Sequence, residues 1–204
     1  MDLGLLILRV VVGGLLFGHG TQKLFGWFGG AGLDATGQFF ETAGFSPGRW
    51  SALAAGSCEA LGGALLVLGL FTPLGAALVV GVMATAMAVH AGKGPWAANG
   101  GWELPLTNAV IGAALGFTGA GTVSLDHAVG FDGLRGLFWG WLVLVLGLLA
   151  SSVVRIRRTV VLERRQEEAD AAAHTTVAPA PPSAPVAYTA DLPTALIDRE
   201  VDQL

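Results

Sequence analysis

The chain reads as an all-α, polytopic helical membrane bundle: a four-span core, a fifth C-terminal span and a disordered tail. Three observations carry this reading. Only 13% of its 204 residues are charged and 53% are hydrophobic, whereas a soluble domain carries about 25% charged residues. Five apolar segments approach or reach the ~20 residues that cross the hydrocarbon core of a bilayer. The remaining charges are unevenly placed, with five Lys/Arg in residues 1–150 and another five from Arg155 to Arg165.

Span 1 covers residues 3–25. Arg9 interrupts it, no basic stretch precedes it and no small-x-small cleavage site follows. It is therefore expected to be an uncleaved span and not a signal peptide. The segment GWFGGAGLDATGQFFETAGFSPGR that follows is too polar to cross. Over about 32–44 it places Leu33, Ala35, Phe39, Phe40 and Ala43 on one helical face, with Asp34, Gln38, Glu41 and Thr42 largely opposite. That pattern fits a helix lying at the interface. Gly44 stops it, and Ser46-Pro47-Gly48 turns the chain.

Span 2 covers 50–71, with Glu59 as its only charge. Phe71-Thr72-Pro73 forms a tight turn into span 3, which runs from 74 to about 90. A Gly- and Trp-rich loop over 92–102 leads to span 4, from 104 to about 122, uncharged but Gly-rich and the weakest of the five. Span 5, 136–154, has no ionisable group. RIRRTVVLERRQEEADAAA then continues as a polar helix, and the Pro/Ala-rich remainder has too few large apolar residues to fold. The expected organisation is a core over 1–127, an extra span within 128–154 and a tail over 155–204. Many glycines inside the spans, such as Gly13, Gly20, Gly62 and Gly63, would let helix backbones approach closely.

Five crossings put eight Lys/Arg on one side: Lys23, Arg49, Lys93 and the five from Arg155 to Arg165. Arg135 faces them from the other side. By the positive-inside rule the C-terminus is expected to be cytoplasmic, in a multi-pass protein of the cell membrane; if span 4 does not cross, the assignment inverts for the first half. Trp27, Trp50, Trp96 and Trp102 would form the inner aromatic belt, and Trp139 and Trp141 the outer one. Nucleic-acid binding is not expected, since no basic surface exists to release counterions. The single cysteine, Cys58, cannot form an internal disulfide and reads as a small buried hydrophobe.

Ionisable groups inside a membrane are costly and mark functional positions. At about 100° per residue, Arg9, His19 and Lys23 fall within an arc of about 80° on span 1. Span 2 offers Glu59, span 3 ends in His90, and span 4 begins with Glu103. Arg9 and Glu59 stand at comparable depth and are expected to pair. His19, Lys23, Glu59 and His90 would form a reactive polar pocket, with Arg9, Gln22, Asn99, Trp102 and Glu103 contributing to substrate binding. Histidine titrates near neutral pH and can move protons, which suits quinone reduction or proton-coupled transport. Competing structural roles are a snorkelling Lys23, a purely structural ion pair and a helix cap at His90. No metal is expected, because the His and Glu residues lack local ligand spacing. There is no GxGxxG, P-loop, CxxCH or nucleophile elbow.

These residues sit within stretches that resemble the DoxX family of small bacterial membrane proteins. The resemblance rests on LRVVVGGLLFGHGTQKLFGWFGG at 8–30, GLDATGQFFETAGFSP at 32–47 and CEALGGALLVLGLFTPLGAAL at 58–78. VHAGKGPWAANGGWELPLTNAVIGAAL at 89–115 and SLD at 124–126 extend it. It implies a four-helix membrane core. It also implies similarity to DoxD, the membrane subunit of a thiosulfate:quinone oxidoreductase, and a tie to oxidoreductase systems of oxidative and thiol stress. The fifth span and the tail depart from the family's compact pattern. The resemblance thus implies a membrane subunit of a quinone-linked oxidoreductase system, with quinone as its ligand and soluble redox enzymes as partners beside the lipid bilayer. A non-enzymatic scaffold for redox enzymes and a small proton-coupled transporter are the alternatives, and association between copies of the chain is compatible with each.

Overall fold

The structure is a computed structural model that describes residues 2–176. Seven α-helices and no strand occur among these residues. They are α1 (Asp2–Phe25), α2 (Gly32–Thr42), α3 (Gly48–Leu68), α4 (Thr72–His90), α5 (Glu103–Thr118), α6 (Leu125–Ala128) and α7 (Leu137–Thr176). The chain divides into a unit over Met1–Glu167 and a remainder from Glu168, of which only the last turns of α7 are described. The expected disordered tail lies outside the described residues.

Four helices, α1, α3, α4 and α7, are long and apolar enough to cross a membrane, and the fold is a helical membrane bundle. The weakest expected span is also the shortest in the structure. With 16 residues, α5 measures ~24 Å against the ~30 Å of a hydrocarbon core. It ends at Thr118, four residues earlier than expected, because Gly119 and Gly121 take left-handed φ values of 73° and 79°. Even so it joins the two ends of the bundle, starting after the loop that meets His90 and ending at the loop that meets Arg9.

Glycine sets the register between the helices. α1 and α3 run antiparallel, with Gly13 against Gly63 and Gly20 against Gly56. A Cβ on Gly13 would stand 2.7 Å from the Gly63 carbonyl oxygen, so any side chain there would push the helices apart. On α5, Gly112 receives Val79 of α4 and Gly116 receives Val143 of α7. α7 runs parallel to α4, with Gly147 against Val80 and Ser151 bonded to Thr85. Val12, Leu16, Leu66, Val79, Val80 and Leu115 fill the centre.

α2 is present at the expected place, with its small residues turned to the bundle. Thr36 and Gly37 are buried, while Ala35 is exposed and Phe39 is 56% exposed. Gly37 lies against the backbone of Arg49, so α2 reaches α3 through its small residues. The aromatic side remains outward.

Candidate functional site

The polar residues of α1 reach two separate places. At one end of the bundle Arg9 is fully buried. Its Nη1 donates to Leu66 O at 3.3 Å and its Nη2 to Val123 O at 2.5 Å. Asp126 is the carboxylate whose charge acts on it. Asp126, 4% exposed, accepts from Phe71 N at 2.7 Å, Thr72 N at 3.0 Å and Thr72 Oγ1 at 2.7 Å. It therefore caps the start of α4, where four backbone donors lack helical partners.

The expected Arg9–Glu59 pair does not form. Comparable depth is not register. With Gly13 opposite Gly63, Arg9 meets α3 at Leu66, about 10 Å along the helix from Glu59. Glu59 instead pairs with Lys23, Nζ to Oε2 at 2.5 Å, with side chains 27% and 6% exposed. The lysine reaches back toward the start of its own helix, as helical side chains do.

This pair stands on the wall of a cavity of about 640 Å³ between α1, α3, α4, α5 and α7, bordered also by α2 and the 44–47 loop. His19, Lys23, Glu59 and His90 all line it. The four residues expected to carry chemistry are thus brought together. Most of the remaining wall is apolar, with Leu16, Ala54, Val82, Ala86 and Val89 among its residues.

Both histidines have assignable ring protons. His90 Nδ1 stands 2.7 Å from Gly100 O. A carbonyl only accepts, so Nδ1 carries the proton and Nε2 is left as the base. Gln22 Nε2 donates to Phe28 O at 3.3 Å, which makes Gln22 Oε1 the acceptor for His19 Nδ1 at 3.1 Å. His19 thereby also keeps Nε2 open for protonation.

The residues expected to bind substrate are not on the cavity wall. Gln22 orients His19 behind it. Asn99 and Trp102 belong to the 91–102 loop, where Trp102 N donates to Gly94 O at 3.2 Å. Glu103 accepts from Ala97 N at 2.8 Å and so staples that loop. Together they hold the loop carbonyl that positions His90. Arg9 lies at the far end, as described. Among the described residues no group of three His, Cys, Asp or Glu side chains is placed to hold a metal ion.

Several lining residues escaped the sequence reading. Cys58, a half-buried free thiol, lies on the wall next to Glu59. Asn108 of α5 and Arg157 of α7 line it, their side chains making no hydrogen bond among the described residues. Thr85 Oγ1 donates to Ser151 Oγ at 3.1 Å across α4 and α7. Ser151 and the arginines all fall on α7, whose uniform apolar run concealed which residues turn inward.

Outside the spans, Glu41 of α2 accepts from Gly48 N at 2.5 Å and pairs with Arg165 of α7, also at 2.5 Å. The Gly48 N–H, then Ser46, then the Arg165 guanidinium hold its carboxyl below the usual glutamate range.

Residues 4–91 match the family model described as DoxX, so the chain carries a DoxX domain over α1–α4. No curated protein and no solved structure matches the chain.

Proposed function

We propose that this DoxX-domain membrane protein binds a quinone in the cavity beside Lys23 and Glu59, as the membrane subunit of a thiol- or thiosulfate-oxidising system. The observation that carries the reading is the convergence of His19, Lys23, Glu59 and His90 on one largely apolar cavity of about 640 Å³. A quinone is an apolar ring with two acceptor oxygens. It wants apolar walls and a few placed donors, the usual make-up of a small-molecule site. The Lys23 ammonium donates to a ring oxygen, and its ion pair with Glu59 holds it at the cavity wall.

Quinone reduction takes up two electrons and two protons. Two thiols supply both on closing to one disulfide, and two thiosulfates supply the electrons on joining as tetrathionate. The His19 and His90 Nε2 atoms pass protons to the ring oxygens. A soluble partner delivers the donor at the basic end, which we place in the cytoplasm of a plasma-membrane protein by the positive-inside rule.

The test is purification in a mild detergent, extraction of bound quinone, and titration with a short-chain quinone analogue. Near-stoichiometric quinone is expected, with binding weakened about tenfold or more in a His19→Ala/His90→Ala variant. Reduction of the analogue by a thiol or thiosulfate donor then tests turnover. Quinone-free protein with no saturable binding would sink the reading.

A further inference from the structure

The C-terminal half of α7 does more than cross the membrane. Up to Ser151, which is 3% exposed, it packs firmly on α4 and α5. Beyond Ser151 it passes over the cavity, and Val154, Arg157 and Arg158 line that space. The facing lip is the 44–47 loop. Three residues of α7, spaced so that they share one helical face, then bind the α2 segment and its loop. Arg158 Nε donates to Ala43 O at 2.8 Å, and its guanidinium stands 5.4 Å over the Phe45 ring. Leu162 packs on Gly44, where an added Cβ would stand 2.8 Å from the leucine side chain. Arg165 grips Glu41 twice, Nη1 to the backbone oxygen at 2.6 Å and Nη2 to Oε1 at 2.5 Å.

We propose that this contact is a latch: α7 is anchored at Ser151, and the Arg158–Leu162–Arg165 face closes onto 41–45 to control access to the cavity. The inference rests on that cavity being the working site of the proposed function, and it adds its regulation. The strength of the contacts argues for a latch over a fixed seam. The Arg165 and Glu41 side chains are 40% and 43% exposed, and exposed ion pairs are weak and screened by salt. The anchor, in contrast, is apolar and buried, with Val143 only 1% exposed. The Arg155, Arg157 and Arg164 side chains, beside the latch, make no ion pair among the described residues, so anionic headgroups can compete for the same helix.

The chain carries its own reporter. Cys58 is its single cysteine and lies on the cavity wall. A small neutral maleimide, applied to the full chain in nanodiscs of neutral lipid, therefore measures how often the cavity opens. Arg165→Gln and Glu41→Gln are each expected to speed labelling about two- to fivefold, the opening factor of an exposed ion pair. The double variant should be no faster than the faster single one, because both act on one contact. Wild-type protein moved from 0.1 M to 1 M salt should speed by a similar factor, which needs no substitution and no intact mutant fold. Asp34→Asn breaks the exposed 3.2 Å pair between α2 and Arg49 of α3, which involves no α7 residue, and should leave the rate unchanged. Rates that stay at the wild-type level in both variants and in salt would overturn the latch. So would an Asp34→Asn rate raised as much as the others. The labelling uses protein from which quinone has been extracted, so the two readings fail separately: unchanged labelling in protein that rebinds quinone removes the latch, and gated labelling in protein that binds no quinone removes the ligand.

Discussion

Replacing Lys23 with methionine leaves the Glu59 carboxylate, 6% exposed, without its ion-pair partner. The size of the effect follows from the geometry. At 2.5 Å and an effective dielectric of about 20, two unit charges attract by about 7 kcal/mol before desolvation is counted. Most of that gain offsets the removal of both groups from water. Removing one partner of a buried pair costs about 3–5 kcal/mol, because the other charge is stranded. Lys23 is 27% exposed, so water reaches the pair and the lower end applies, about 3 kcal/mol. For a chain of this size that lowers Tm by about 6–12 °C. Glu59→Gln should cost less, about 1–2 kcal/mol, since the freed lysine can extend to the interface. The double variant takes both charges out of the interior and should recover about 2 kcal/mol relative to the sum of the singles.

The assay is thermal unfolding of the four proteins in one detergent, followed by circular dichroism and read as a double-mutant cycle. Additivity within about 0.5 kcal/mol would refute the pairing. A charge swap between Arg9 and Glu59 provides the contrasting arm. It should rescue nothing, because Arg9 meets α3 at Leu66.

Four further outcomes are expected. Asp126→Ala removes three hydrogen bonds at the start of α4 and the carboxylate that balances Arg9, and should cost about 3 kcal/mol in the same melts. Gly20→Ala places a Cβ 2.6 Å from Gly56 O and should cost about 1–3 kcal/mol. Gly14→Ala has open space and should stabilise by about 0.5–1 kcal/mol through helix propensity. The latch should also respond to acid. Glu41 faces Arg165 from α7, Ser46 from the following loop and Gly48 at the start of α3, with Arg158 of α7 on the neighbouring Ala43 and Phe45 and the Asp34–Arg49 pair between α2 and α3. Its carboxyl sits below the usual range, so its contribution is complete above about pH 4.3, the ordinary glutamate value. It is lost as pH falls through the lower folded value. Exchange of the 43–48 amides should therefore accelerate with acid in wild type beyond the intrinsic pH effect, and Glu41→Gln should remove that excess.

Much of the fold was legible because the bilayer imposes length. Apolar runs of about 20 residues gave α1, α3, α4 and the first half of α7 within a few residues, and Gly44 with Ser46-Pro47-Gly48 marked the end of α2. The gathering of His19, Lys23, Glu59 and His90 was legible too, since polar groups in apolar helices must find each other or water. Partner choice was not. It depends on axial register, and register is set by where Gly13 and Gly20 let α1 touch α3, a property of two helices at once. Glu41 lies on the polar side of α2 as read, but its contact was hidden for a related reason. Its partner Arg165 lies 124 residues away, beyond the reach of any local amphipathic pattern. Asp126 sits in a short polar turn, where a carboxylate reads as solvated, yet it closes the far end of the bundle.

The position of α7 bears on how far family likeness can carry. The DoxX match spans 4–91, and within it lie all four residues on which the chemistry was placed. The cavity that holds them is nevertheless closed by residues outside that match: Leu104 and Asn108 from α5, and Ser151, Val154, Arg157 and Arg158 from α7. The matched segment therefore provides the ion pair and the histidines, while the walls that decide what fits and when it enters come from the rest of the chain. Cationic side chains on that added wall raise the local positive charge, with Glu59 the single carboxylate on the lining. A ligand with an electron-rich head is favoured there over a cationic one. Specificity and access can thus differ between DoxX-domain proteins that share the same histidines, lysine and glutamate, and the place to look for the difference is the helix that follows the shared domain.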